Sequence, residues 1–187
     1  MTPAGLHLAE LARTPPQPWR NGGGVTHELL AWPSPSAWTL RVSVATIAAD
    51  GPFSAFDGIQ RWFTVLEGQG VELGLPGGAR RLLPGDAPLH FDGEAAPPCR
   101  LLGGATRDLN FMVQRSAGHA RMREAAAGER LAVPQAWRAL YAAAGAELVV
   151  DGHRVVVPAA CLAWGDRPSP WRLDALHGAA WWLTLDV

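Results

Sequence analysis

A chain of 187 residues, 48% hydrophobic and 18% charged, is long enough for one domain or two small fused ones, and too apolar to be disordered or a coiled coil. Sixteen basic residues against seventeen acidic ones give a net charge of −1, so no broad basic field exists to draw in nucleic acid or anionic lipid. Every basic residue is arginine, which excludes Schiff-base chemistry on a lysine.

In chain order, residues 4–13 suit a short strand or a helical turn, and the Thr14–Pro18 stretch is a proline-rich connector. Asn21-Gly22-Gly23-Gly24 must turn, and residues 25–32 alternate as a strand. Residues 38–47 form the clearest strand, with Trp38, Leu40, Val42 and Val44 on one face and Thr39, Arg41, Ser43 and Ala45 on the other. AADGPFSAFDGIQ reads as a loop, and residues 61–67 as a further strand. Residues 71–75 and 79–83 flank Pro76-Gly77-Gly78, a hairpin signal, and Pro84-Gly85-Asp86 turns the chain again. Strands are expected at 89–91, 100–102 and 108–114; residues 115–135 are poor in strand formers, with a partly helical surface connection expected over 118–130. Asp151-Gly152, between LVV and RVVV, is a strong type I′ hairpin signal, and residues 171–187 supply the last strands.

The order of hairpin, Gly-Asp turn, strand and strand occurs twice, offset by about 75 residues, which marks a repeated structural unit. The expected fold class is therefore all-β, with two small antiparallel barrels or jelly rolls in one compact body. The boundary is expected at 115/116, giving a first unit of residues 1–115 and a second of 116–187. Cys99 and Cys161 lie far apart with no CxxC spacing and read as buried thiols. The N-terminal residues lack the basic start and apolar run of a secretory leader. No stretch approaches the ~20 apolar residues of a membrane-spanning helix. A cytoplasmic protein is expected.

Four strings carry a more specific message: WRNGGGVTHEL, WTLRVSVATIAADGPFSAFDGIQRWFTVLEGQGVEL, LPGDAPLHFDGE and LLGGATRDLNFMVQR. Taken in order over residues 19–115, they resemble the HutD/Ves family of cupin-like proteins. The second half is similar only in its rhythm of strands and turns. The resemblance implies a double cupin (bicupin), a bacterial cytoplasmic setting and a link to histidine utilisation. Many cupins hold a metal through a His-x-His pair on one strand face, a later Glu and a further His. None of the six histidines here is in a His-x-His pair, and only His90 lies near the place of the later motif, so no metal or other cofactor is expected.

Polar residues nevertheless stand inside apolar strands. Arg41 and Ser43 share one face, Asp108, Asn110 and Met112 share another, and Arg61 opens a strand. Asn21, Thr26 and Glu28 lie in or after the glycine turn, and His90 completes the candidate ligand-binding set. A guanidinium inside a β fold needs a partner. For Arg41 that partner is either Asp108, as a structural ion pair, or the carboxylate of a ligand. Asn-Gly-Gly-Gly lacks the Gly-Lys-Ser/Thr ending of a phosphate loop, and no nucleophile stands in a His–acid arrangement. The family link points to an acidic ligand of the urocanate, formylglutamate or formiminoglutamate class, bound by a sensor or regulator. The alternatives are a cupin-type metal-dependent oxygenase or isomerase, and a structural module. Trp-rich strands in the second half leave room for a homodimer; neither nucleic acid nor membrane is an expected partner.

Overall fold

The computed structural model describes residues 3–131 and 136–186. Its strands divide between two compact units, one of Thr14–Ser116 and the other of the chain through Arg13 together with the chain from Ala117 onward. Strand β1 is His7–Glu10 and is followed by a single 3-10 turn at Leu11–Arg13.

The Thr14–Ser116 unit contains β2 (Pro16–Pro18), β3 (Gly24–Trp32), β4 (Leu40–Ile47), β5 (Gly51–Pro52), β6 (Ile59–Glu67), β7 (Val71–Leu75), β8 (Gly78–Leu82), β9 (Leu89–Asp92), β10 (Pro98–Leu101) and β11 (Thr106–Gln114). They form a six-stranded sheet in the order β2-β3-β4-β11-β6-β9 and a four-stranded sheet in the order β5-β10-β7-β8. Between them lies a core of Ile47, Phe53, Phe63, Val65, Val71, Leu73, Leu82, Phe91 and Cys99. Each such side chain contributes about 1.5–3 kcal/mol on burial. Gly70, at φ 93°, carries the chain from one sheet to the other. A Cβ there would stand 2.3 Å from the Leu82 carbonyl oxygen, so only glycine fits this corner.

The other unit holds β12 (His119–Glu124), β13 (Arg130–Leu131), β14 (Trp137–Ala142), β15 (Ala146–Val150), β16 (His153–Val157), β17 (Cys161–Gly165), β18 (Trp171–Leu176) and β19 (Ala180–Asp186). Its sheets run β1-β17-β14-β19-β12 and β13-β18-β15-β16. The order β12-β19-β14-β17 repeats β4-β11-β6-β9, and β18-β15-β16 repeats β10-β7-β8, so the internal repeat is present in the topology. The Asp151-Gly152 turn has positive φ at both residues, 50° and 77°, as a type I′ hairpin requires. Trp171 and Trp182, with ring centroids 6.4 Å apart, fill this unit's interior together with Leu140, Leu148 and Leu173.

Three expectations need correction. The strands of each unit divide between two sheets, and neither unit closes into a single barrel, because turns such as Gly70 redirect the chain before a ladder can join the sheets. The first residues were expected in the first unit; instead β1 pairs along its length with β17, from His7↔Trp164 to Glu10↔Cys161. The 118–130 stretch is not helical; among the described residues near it, the only helical ones are the single 3-10 turn Arg115–Ala117 just before it. Residues 119–124 form β12, whose ladder with β19 buries Met122 and outweighs the helix propensity of its Ala, Arg and Glu residues, and residues 130–131 pair with β18. Residues 132–135, read as poor in strand formers, lie outside the described residues.

Candidate functional site

The site grows from the register of three neighbouring strands. β11 lies between β4 and β6, with Met112 opposite both Arg41 and Arg61, Asn110 opposite Ser43 and Phe63, and Asp108 opposite Ala45 and Val65. Alternation therefore turns Arg41, Ser43, Asp108, Asn110 and Arg61 to one face. They line a cavity of about 540 Å³, to which the 17–21 segment adds Gln17, Trp19, Arg20 and Asn21, and the loop after β5 adds Phe53 and Phe56.

Arg61 is the buried cation of this cavity, only 7% exposed. Its guanidinium lies 4.8 Å from the ring centroid of Phe53 and 5.3 Å from that of Phe91. One Nη donates to Asn110 Oδ1 at 2.7 Å. Burial, which outweighs the opposing pull of Asp108, and the nearby charge of Arg41 together lower its pKa to about 10; it remains charged at neutral pH. Asn110 in turn gives its Nδ2–H to Asp108 Oδ1. Asp108 is fully buried, and desolvation pushes its carboxyl up to about 8, against the opposing effects of Arg61 and the Asn110 hydrogen bond. Its Oδ2 has no hydrogen-bond partner among the described residues.

Of the candidate residues, Arg41, Asn110, Asp108, Arg61, Asn21, Thr26 and Ser43 meet at this cavity. Asn21 Oδ1 accepts from the Gly23 backbone at 3.0 Å, and Thr26 Oγ1 accepts from the Trp19 indole at 2.8 Å, which fixes that wall. Glu28 does not line the cavity; it ion-pairs with Arg41 at 2.7 Å. Arg41 thus faces the cavity but has Glu28, and not Asp108, as its partner. β3 pairs with β4 so that Glu28 stands opposite Ser43, the diagonal same-face neighbour of Arg41, in a register no sequence pattern reveals.

His90 stands apart from the site. β9 pairs with β6 so that His90 lies opposite Trp62 and stacks on its ring at 4.3 Å, while Phe91 turns into the core. Its pKa is lowered by burial, with Asp92 opposing. No group of three His, Cys, Asp or Glu side chains gathers among the described residues. Sequence reasoning missed Trp19, Arg20, Phe53 and Phe56; the only signal was two phenylalanines three residues apart in a Gly/Pro-rich loop.

Among solved structures, this arrangement of sheets is shared with a cupin 2 conserved barrel domain protein from Leptotrichia buccalis (TM-score 0.57, 13% identity, 88% of this chain and 89% of that one), a likeness of fold alone. The protein is therefore all-β and cupin-like. The HutD family profile matches residues 11–182, and the chain belongs to the HutD family. It is similar to an uncharacterised 21.2 kDa protein in the hutC 3′ region of Pseudomonas putida, 43% identical over 110 residues that span 57% of either chain. It is also 34% identical to protein Ves of Citrobacter koseri over 122 residues, 64% of either chain. The chain thus spans under two thirds of the length of either of these relatives. Structural likeness runs further. A conserved protein of unknown function from Pseudomonas aeruginosa PAO1 matches with TM-score 0.89 at 27% identity, over 98% of this chain and all of that one. HutD from Pseudomonas fluorescens SBW25 matches with TM-score 0.81 at 26% identity, over 97% and 98%. No helix among the described residues is long and apolar enough to cross a membrane.

Proposed function

We propose that the Thr14–Ser116 unit binds a small acidic metabolite and that the protein serves as a sensor or regulator in histidine utilisation, with urocanate, formylglutamate or formiminoglutamate as the class of ligand. The observation that carries this reading is Arg61: a guanidinium 7% exposed, at a cavity wall, whose hydrogen bond goes to a neutral amide. A guest carboxylate supplies the missing countercharge through charge-assisted bonds. The cavity, about 540 Å³, falls within the roughly 300–1,000 Å³ of small-molecule sites. The hutC-region relative and the HutD structure support the metabolic setting. In this reading the repeated units are the halves of a double cupin, and the protein works in the bacterial cytoplasm as a single chain or a homodimer.

A thermal-shift series with the three acids tests it. Stabilisation grows with free ligand over the dissociation constant, so even a weak ligand raises the melting temperature at high concentration. No shift with any of them, or stoichiometric Fe, Mn, Ni or Zn in the purified protein together with turnover, overturns the reading.

A further inference from the structure

The β3 side of the cavity has its hydrogen-bond roles fixed. An indole N–H only donates, so Thr26 Oγ1 accepts from Trp19 Nε1 at 2.8 Å, and its own hydroxyl hydrogen is left over. A backbone N–H likewise only donates, so Asn21 turns Oδ1 to Gly23 at 3.0 Å and keeps its Nδ2 hydrogens for other use. Neither of these donors has an acceptor among the described residues, and both side chains line the cavity. The β6 side shows the same polarity. Arg61 gives one Nη to Asn110; of its nitrogens only Nε is both enclosed and unbonded, so the other Nη opens on the cavity.

The sheet sets the distance between the two sets of donors. In the order β3-β4-β11-β6, Thr26 lies opposite Ala45, whereas the Arg61 guanidinium is held by Asn110 on β11, which lies opposite Ser43. Thr26 and Asn110 are therefore two strand spacings and two residues of register apart, which puts the donors on the order of 10 Å from one another. Between them β4 offers Ser43 and Ala45, whose short side chains leave the space open. With about 3 Å for a hydrogen bond at either end, the gap suits a guest of roughly four to six carbons. We propose that Thr26, with Asn21 beside it, determines specificity by donating to a second oxygen of the guest, remote from the carboxylate on Arg61. The ligand is then an acid with an oxygen acceptor at its far end, a dicarboxylate or an oxo acid. This rests on the reading of the cavity as an acidic-metabolite site. An ammonium at the far end would set donor against donor and leave both unsatisfied.

Three acids of similar length test it: glutarate ends in a second carboxylate, pentanoate in a methyl group and 5-aminopentanoate in an ammonium. Calorimetry on the full chain at neutral pH should rank them in that order, with glutarate about tenfold or more ahead of pentanoate. Thr26→Val should lower the ratio of glutarate to pentanoate affinity several-fold, and Thr26→Ser should restore it. The ratio is the readout because loss of the Trp19 bond by itself would weaken all three acids alike. Should Thr26→Val fail to fold, the wild-type ranking decides alone. Equal affinity for glutarate and pentanoate, 5-aminopentanoate ahead of either, or a ratio unchanged in Thr26→Val overturns this inference and leaves the acidic-ligand reading standing. So does a failure of all three acids while urocanate still stabilises the protein. Failure of these acids and of the whole thermal-shift series overturns the reading beneath it as well.

Discussion

Arg61 on β6 reaches Asn110 Oδ1 on β11 at 2.7 Å, although the residue directly opposite Arg61 in the ladder is Met112. The bond is therefore diagonal, and it holds the guanidinium over the polar stretch of β11. In the proposed function, Arg61 rather than Arg41 is therefore the cation that an acidic guest would engage.

Arg61→Met should sharply reduce ligand-induced thermal stabilisation at a given ligand concentration. A lost charge-assisted bond of about 1.5–3 kcal/mol corresponds to roughly 10- to 150-fold in affinity. Arg41→Met should weaken binding less, because Glu28 already shares that charge at 2.7 Å. Equal losses in the two variants, read by calorimetry, would contradict this ordering.

Stability should carry the mark of Asp108. Its carboxyl is raised from 3.8 to about 8 in the fold, so the folded protein binds the proton more tightly than the unfolded chain. Its contribution is full below pH 4, is lost as pH rises toward 8, and is then constant. The melting temperature of Asp108→Asn relative to wild type should climb over that window and level off above it. Parallel curves for the two proteins from pH 5 to 9 would refute the assignment.

Gly24 is the seat of Trp19. A Cβ at position 24 would stand 2.4 Å from the Thr46 carbonyl oxygen and 3.1 Å from the Trp19 ring. Gly24→Ala should cost about 1–3 kcal/mol by overpacking. It should also break the Trp19–Thr26 bond of 2.8 Å, which urea titration and a shift in tryptophan emission would register.

Cys99 and Cys161 are buried, and desolvation raises their thiols to about 12 and about 11. Both should resist a water-soluble disulfide reagent at pH 8 in the native protein and react once denaturant is added. Rapid modification of either in the folded state would show that its cover opens readily.

The sequence made the strand faces legible because alternation is local: Arg41 with Ser43, and Asp108 with Asn110, follow from period two alone. It also made the Asp151-Gly152 hairpin legible, since positive φ at both residues is written in their types. What stayed hidden depends on distant parts of the chain. The register of β3 on β4 assigns Arg41 its partner, the phase of β9 sends His90 to Trp62, and β1 finds its place only through β17. Phe53 and Phe56 looked like loop residues because nothing local shows that a loop closes over a cation.

The two copies of the strand pattern have parted in occupation. Where one interior keeps Arg61 beside open volume, the other is filled by Trp171 and Trp182. A hollow lined with unpaired polar atoms weakens the copy that contains it. The twin in the same chain gives its buried guanidinium, Arg138, a backbone acceptor at Ser169. Duplication can thus set up a division of labour, in which one copy is released from the duty of dense packing and becomes free to receive a guest.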